Sequence, residues 1–451
     1  MVPARSISVV LALLFNSIAA QPLAQVQAAR FELQQRRDAV LQRVMDGILL
    51  VPSRWDTKAP SEPGFTQEPN FFYLTGLERQ LGAVLVLDGP RRASMLFVPV
   101  THPRLDLFSP PVVSPNPDSA ARLGFAQVSP IDELVAYIDG RLTGLGSVAL
   151  YVNDATPAAP AIPGLRPFGN TPSAFHEALK TQWPAAVMKS AQTQLDELRS
   201  IKSVHEIEAT QSAGRAASAA LLAGLKALEP MRQQRHVEVL MATACFEHGT
   251  GVSWWPWVQT GPNAVFPVPF QTFADYRHLN RQMQTGELAR LDVGCEFDHY
   301  NSDVGRTAPV SGRWSAAQSE TWDLLVGAYR AGLRVLRAGV TVDQVRNAFE
   351  AHVRASASTL KYDFTRKAAI VMTDPRLSPH FQIHGVGLEA AEPIGSTLLP
   401  GMILAYEPMF SVDGIGFYLE DLLLVTRNGY EVLTPDLPYT ATEIELAMRR
   451  R

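Results

Sequence analysis

The stretch A-R-L-D-V-G-C-E-F-D-H-Y-N-S-D-V-G-R-T, Ala289 to Thr307, sets two acids, Asp292 and Asp303, among residues of strand-like, apolar character. An ionised carboxylate on such a run is expensive to bury unless a cation or a hydrogen-bond donor meets it. Three later stretches repeat the pattern: I-H-G-V-G-L around His384, L-A-Y-E-P around Glu407, and F-Y-L-E-D around Glu420, which precedes Leu422-Leu423-Leu424-Val425. Four carboxylates and one imidazole make a hard donor set that suits Mn²⁺, Co²⁺, Fe²⁺ or Zn²⁺ and argues against a thiolate centre. Brought close together, those carboxylates cannot all stay ionised without neutralisation, and a pair of divalent ions provides it. Taken singly, each acid also suits a turn or a cap, and His384 a core imidazole; the five together are the more specific signal.

The order Asp, Asp, His, Glu, Glu, with the runs D-V-G-R-T and G-I-G-F-Y-L-E-D, resembles the pita-bread metallopeptidases, and within them the aminopeptidase P (Xaa-Pro aminopeptidase) and prolidase group. F-T-Q-E-P-N-F-F-Y-L-T-G, Phe65 to Gly76, is similar to the amino-terminal domain typical of aminopeptidase P. The resemblance implies an α+β fold: a carboxy-terminal pita-bread domain with the site in the concave face of its sheet, preceded by an α/β domain. It also implies two divalent ions, manganese ahead of cobalt, zinc or iron. Asp292 would chelate one ion, His384 and Glu407 the other, and Asp303 and Glu420 would bridge them. A shared hydroxide would attack the peptide carbonyl while Glu407 assists proton transfer. His380, four residues before His384, falls where the family has a substrate-contacting histidine. The implied substrate is a short peptide with proline in its second position, and the implied assembly is a homo-oligomer.

Departures from the family pattern concentrate in the substrate shell. Ala391 stands seven residues after His384, where another histidine is expected, and Asp275 takes the place of a third in A-D-Y-R-H-L-N-R. Tyr418 replaces an arginine two residues before the last Glu, and Ser411 replaces a tyrosine. Asp275 and Tyr418 are therefore read as substrate-shell positions. His278 and His248 are either displaced imidazoles or solvated surface histidines. These changes leave two rival readings: a creatinase-like C–N hydrolase or lyase on the same fold, and a metal-stabilised pseudo-enzyme that binds peptides or a partner. Arg306, in D-V-G-R-T, is read as orienting the carboxylates, with a distant ion pair as its alternative.

Of the 451 residues, 46% are hydrophobic and 19% charged, which describes a folded chain long enough for two or three cores. A net charge of −4 without a Lys/Arg block disfavours nucleic acid or an anionic membrane as the main partner. Arg5, the apolar run Ile7 to Phe15 and the small residues up to Ala20 read as a secretory signal over 1–20, hence a periplasmic or extracellular protein, with an uncleaved anchor as the alternative. No later run is long enough for a membrane span. Cys245 and Cys295 permit at most one disulfide; Cys295 is read as a packed thiol.

An amino-terminal α/β domain is expected over 28–185: a helix over Ala28–Met45, a strand over Gly47–Val51, a hairpin of Gly82–Leu87 and Ala93–Val98, and a strand over Val148–Val152. The catalytic domain is expected over 190–445, with an amphipathic helix from Gln194, an Ala-rich helix over Ala209–Leu228, and capping boxes at Ser315/Gln318 and Thr341/Gln344. Ser253 to Phe273, rich in Trp, Phe and Pro, is read either as an aromatic wall of the substrate pocket or as a core strand with a subunit contact.

Overall fold

Aliphatic and β-branched runs build the sheets of this protein, and the polar turns between them set the order of the strands. The structure, a computed structural model, describes residues 23–54, 65–100, 113–144, 148–153, 172–265, 276–374, 376 and 381–449. The signal segment, Asp275, His380 and residues 266–273 of the Trp-rich stretch lie outside the described residues. The chain divides into two units, with the principal break after Gln192.

In the first unit, β1 (Gly47–Pro52), β2 (Val84–Asp88), β3 (Ala93–Val98), β4 (Gln127–Pro130), β5 (Ala149–Val152) and β6 (Val187–Ser190) form one sheet in the order β4-β3-β2-β1-β5-β6. The β2/β3 hairpin is antiparallel, whereas β4 and β5 join their neighbours in parallel. Ile48, Leu50, Val86, Phe97, Ile138 and Leu150 are buried in its core. β6 carries the unit past the expected limit at 185. It is a short, largely exposed strand without alternating apolar residues, so its sequence carries little strand signal.

The second unit opens with the helix Gln192–Ser200, followed by the helix Val204–Ala227, which is started by a capping box of Ser203 and Glu206 that the sequence reading passed over. Capping boxes at Ser315/Gln318 and Thr341/Gln344 start the helices Ala316–Val335 and Val342–Ser356. The ladder comprises β7 (Gly251–Val252), β8 (Trp257–Thr260), β9 (Leu288–Val293), β10 (Cys295–Phe297), β11 (Tyr300–Asn301), β12 (Val304–Pro309), β13 (Phe381–Gly385), β14 (Ile403–Val412), β15 (Ile415–Val425) and β16 (Tyr430–Val432). The main sheet runs β13-β14-β15-β12-β9-β8, with β16 on β15, and every pairing is antiparallel. Strand alternation sends Leu291, Val293, Val304, Leu419 and Tyr406 to the apolar core. The opposite face receives Asp292, Gly305, Glu420 and their i±2 neighbours.

Cys245, in the helix Gln234–His248, and Cys295, in β10, form a disulfide, so Cys295 is not the free packed thiol expected from sequence. A separation of 50 residues hid the pairing, which the fold alone creates. Closing a loop of that size stabilises the fold by about 4 kcal/mol in the chain-entropy picture. Reduction, or Cys245→Ala with Cys295→Ala, is therefore expected to lower the denaturant midpoint markedly. An unchanged midpoint would show that the bond constrains little.

Candidate metal centre

Register places the acids. Gly305 of β12 pairs with Asp292 of β9 on one side and with Glu420 of β15 on the other, so the three share one face. Asp303, just before β12, is two residues from Gly305 and joins that face. On the far side His384 of β13 pairs with Ala405, and Glu407 of β14 pairs with Gln382, two residues from His384. The sheet thereby brings together all five predicted ligands, every carboxylate among them buried.

Their hydrogen bonds leave an unusual residue of unmet valence. Asp292 Oδ2 accepts from Arg290 at 2.8 Å, and Glu420 Oε2 accepts from the Tyr418 hydroxyl. Asp292 Oδ1, Asp303 Oδ1 and Glu420 Oε1 are buried with no partner. His384 Nε2 stands 3.3 Å from Glu407 Oε1 and 3.8 Å from Asp303 Oδ2. Its Nδ1 lies 2.9 Å from the Gly385 carbonyl, the contact that orients the ring and leaves Nε2 facing the acids. One ligand atom each from Asp303, His384 and Glu420 lie within 4.8 Å of one another.

Electrostatics reflect the crowding. Burial pushes the Asp292 carboxyl up to about 6, with Arg290 pulling the other way and Glu407 adding to the rise. Burial and then the Glu420 charge hold Asp303 well above the usual carboxylate range; burial, Glu407 and Asp292 do the same to Glu420. Burial disfavours the charged His384 imidazole, but Glu407 outweighs it and raises its pKa. Orphaned hard oxygens, clustered acids and an imidazole nitrogen turned towards them together fit divalent cations, which supply the missing positive charge.

Two sequence expectations need correcting. Arg306 is on the reverse face, where strand alternation puts the residue after Gly305, so it does not orient the ligand side chains. It pairs with Asp421 at 2.9 Å, both fully buried, and also donates to the Glu420 backbone carbonyl. Tyr418 faces a ligand: 1% exposed, it lies over Gly305 and holds Glu420. That places it behind the acids rather than in contact with substrate. Arg290 and Gln259 were missed. Their signal was available, since Arg290 precedes Asp292 by two residues and so shares its face.

Ala391 is exposed and has no side-chain donor, and His248 and His278 are both exposed. Trp257 pairs with Asp292 across β8 and β9, while Trp254 fills the space above Gly294. This part of the Trp-rich stretch lines the ligand strands, as an aromatic wall would.

The loop carrying Ala391 is pinned by charge. Glu392 accepts from Arg199 at 2.7 Å and Lys202 at 2.8 Å, and Glu389 shares Arg199 at 2.6 Å. Burial alone would raise the Glu392 carboxyl, but Lys202 and Arg199 overcome it and bring it down to about 2. Its contribution is complete above the unfolded carboxyl value of about 4.3 and lost as pH falls towards 2. Glu392→Gln should flatten that part of the stability–pH curve and cost roughly 3–5 kcal/mol at neutral pH. Acid unfolding curves of the two proteins check this; superimposable curves would remove the pair from the account.

Comparison with known proteins bears on the family and the fold. The family model described as "Metallopeptidase family M24" matches residues 208–427, and that described as "Aminopeptidase P, N-terminal domain" matches 33–151. The chain is 25% identical over 454 residues to the Xaa-Pro aminopeptidase of Escherichia coli K12, covering 94% of this chain and 98% of that one. It is 25% identical over 405 residues to Xaa-Pro aminopeptidase 3 of Mus musculus, covering 84% and 76%. Zn-substituted E. coli aminopeptidase P in complex with product superposes with a TM-score of 0.74 at 24% identity, over 94% of this chain and 99% of that one. Proline aminopeptidase P II from Yersinia pestis gives 0.74 at 22%, over 93% and 99%. At these identities the superpositions establish the fold.

Proposed function

We propose that this chain, which belongs to metallopeptidase family M24 and carries the N-terminal domain of aminopeptidase P, releases the first residue from short peptides with proline in the second position. The observation that carries this reading is the trio of buried, unpartnered oxygens on Asp292, Asp303 and Glu420, in a site where one ligand atom each from Asp303, Glu420 and His384 lie within 4.8 Å of one another. Asp292 would hold one ion, His384 and Glu407 the other, and Asp303 and Glu420 would serve both; manganese is the first candidate, with cobalt, zinc or iron as substitutes. When bound, such ions supply Lewis acidity, lowering the pKa of water and polarising the scissile carbonyl.

The remaining work falls to the chain's own groups. Glu407 is buried, close to His384 Nε2, and placed to accept a proton from attacking water and return it to the leaving amine. Trp254 and Trp257 exclude water beside Asp292. The Cys245–Cys295 disulfide and the amino-terminal apolar run support export to an oxidising compartment. Assembly into a homo-oligomer is part of the same proposal.

Ala391 favours a second reading. Without a donor there, a peptide carbonyl loses a contact of a kind that contributes about 10²-fold or more in rate, and a non-peptide C–N substrate would not need it. A panel of Xaa-Pro di-, tri- and longer peptides beside guanidino and other non-peptide amides separates the two. Cleavage restricted to Xaa-Pro peptides supports the first reading, with length dividing aminopeptidase P from prolidase behaviour. Turnover of non-peptides alone supports the second, and bound metal without turnover supports a binding role. Ala391→His should raise peptide turnover under the first reading.

A further inference from the structure

The five ligands are not served evenly by the rest of the protein. On the Asp292 side a full positive charge is built in. Arg290, 4% exposed, donates to Asp292 Oδ2 at 2.8 Å and to Gln259 Oε1 at 2.9 Å. Its guanidinium lies 4.1 Å over the Tyr418 ring, and the Tyr418 hydroxyl reaches Glu420 Oε2. The ring in turn rests on Gly305, whose missing Cβ leaves it room. Arginine, cation–π partner and phenol thus form one layered unit that engages one oxygen of Asp292 and one of Glu420 and leaves the other oxygen of each unpartnered. The opposite side of the site has His384, which turns Nδ1 to a carbonyl and Nε2 to the acids, with Glu407 and Asp303 beside it.

We infer that Arg290 is a resident counter-cation of the metal centre, which makes the two ions unequal by weakening the one held beside Asp292. An arginine side chain stays charged at any pH the protein meets. It shares the charge of Asp292, the carboxylate assigned to that ion alone, and it repels a divalent ion across a medium that screens poorly. The same contact keeps Asp292 fixed in the metal-free protein, so the site stays formed while its second ion exchanges. Arg290 is accordingly a positioning residue, and its effect is read in metal affinity.

The inference rests on the metal reading above, and one set of titrations tests both separately. Mn²⁺ is titrated calorimetrically into chelator-treated wild type, Arg290→Met and Arg290→Lys, with circular dichroism reporting the fold. Wild type is expected to show two classes of site at least about tenfold apart. Arg290→Met should tighten the weaker class by about 10–100-fold, the scale on which partners of metal ligands act. Arg290→Lys, which keeps the charge, should retain the wild-type gap. Two equal sites in wild type would overturn the inference, whether or not Arg290→Met folds. So would a folded Arg290→Met protein whose gap is unchanged or wider. No binding by wild type would overturn the metal reading itself, and this inference with it.

Discussion

Asp303→Ala is expected to release the metal ions and abolish turnover while leaving the fold intact. Asp303 sits between the two halves of the site, with Oδ2 3.8 Å from His384 Nε2 and a buried, unpartnered Oδ1. Under the proposed assignment Asp303 serves both ions, so its loss removes a ligand from each. The fall in affinity should exceed the roughly 10–100-fold that outer partners cost. Stability moves the other way. Burial and the neighbouring acids hold the Asp303 carboxyl well above its ordinary value, so removing it relieves repulsion in the metal-free protein. Metal-free Asp303→Ala should melt no lower than metal-free wild type, which separates loss of a ligand from misfolding. Metal analysis and calorimetry check both halves; a fully active, metal-loaded variant would sink the site.

Gly305→Ala should be as damaging by a different route. A Cβ at Gly305 would stand 1.8 Å from the Tyr418 ring, far inside contact distance. The ring has no easy escape, being buried beneath Arg290 and tied to Glu420. Overpacking of this kind costs about 1–3 kcal/mol or more, and here the displaced ring also lets go of a ligand carboxylate. Reduced melting temperature and weakened metal binding are expected together. Adding Tyr418→Leu should restore much of the melting temperature, since the smaller side chain vacates the clashing volume. Failure of that rescue would mean that Gly305 is required for another reason.

The candidate ligands were legible because four of the five are acids on or beside otherwise apolar strands, a local conflict that a cation or a hydrogen-bond donor resolves. What stayed hidden depends on partners far apart in sequence. Arg290 reads as one more residue of a strand until Tyr418, 128 positions later, is seen beneath its guanidinium. For Arg306 the ion-pair alternative is the one found, and its place next to Gly305, rather than two away, already implies the reverse side. The Cys245–Cys295 bond needs the helix Gln234–His248 to lie against β10, which no local pattern encodes. β6 was invisible for the opposite reason: an exposed edge strand needs little apolar patterning to form. Helix starts at Ser315 and Thr341 were read correctly because capping boxes are local chemistry.

The most direct test of the whole account is amino-terminal residue release from an Xaa-Pro tripeptide by the purified protein, assayed metal-free, after reconstitution with Mn²⁺, and in Asp303→Ala under the same conditions. The account predicts no release without metal, release on reconstitution, and none from the variant. Protein that holds two ions per chain yet releases no more product than Asp303→Ala would contradict it.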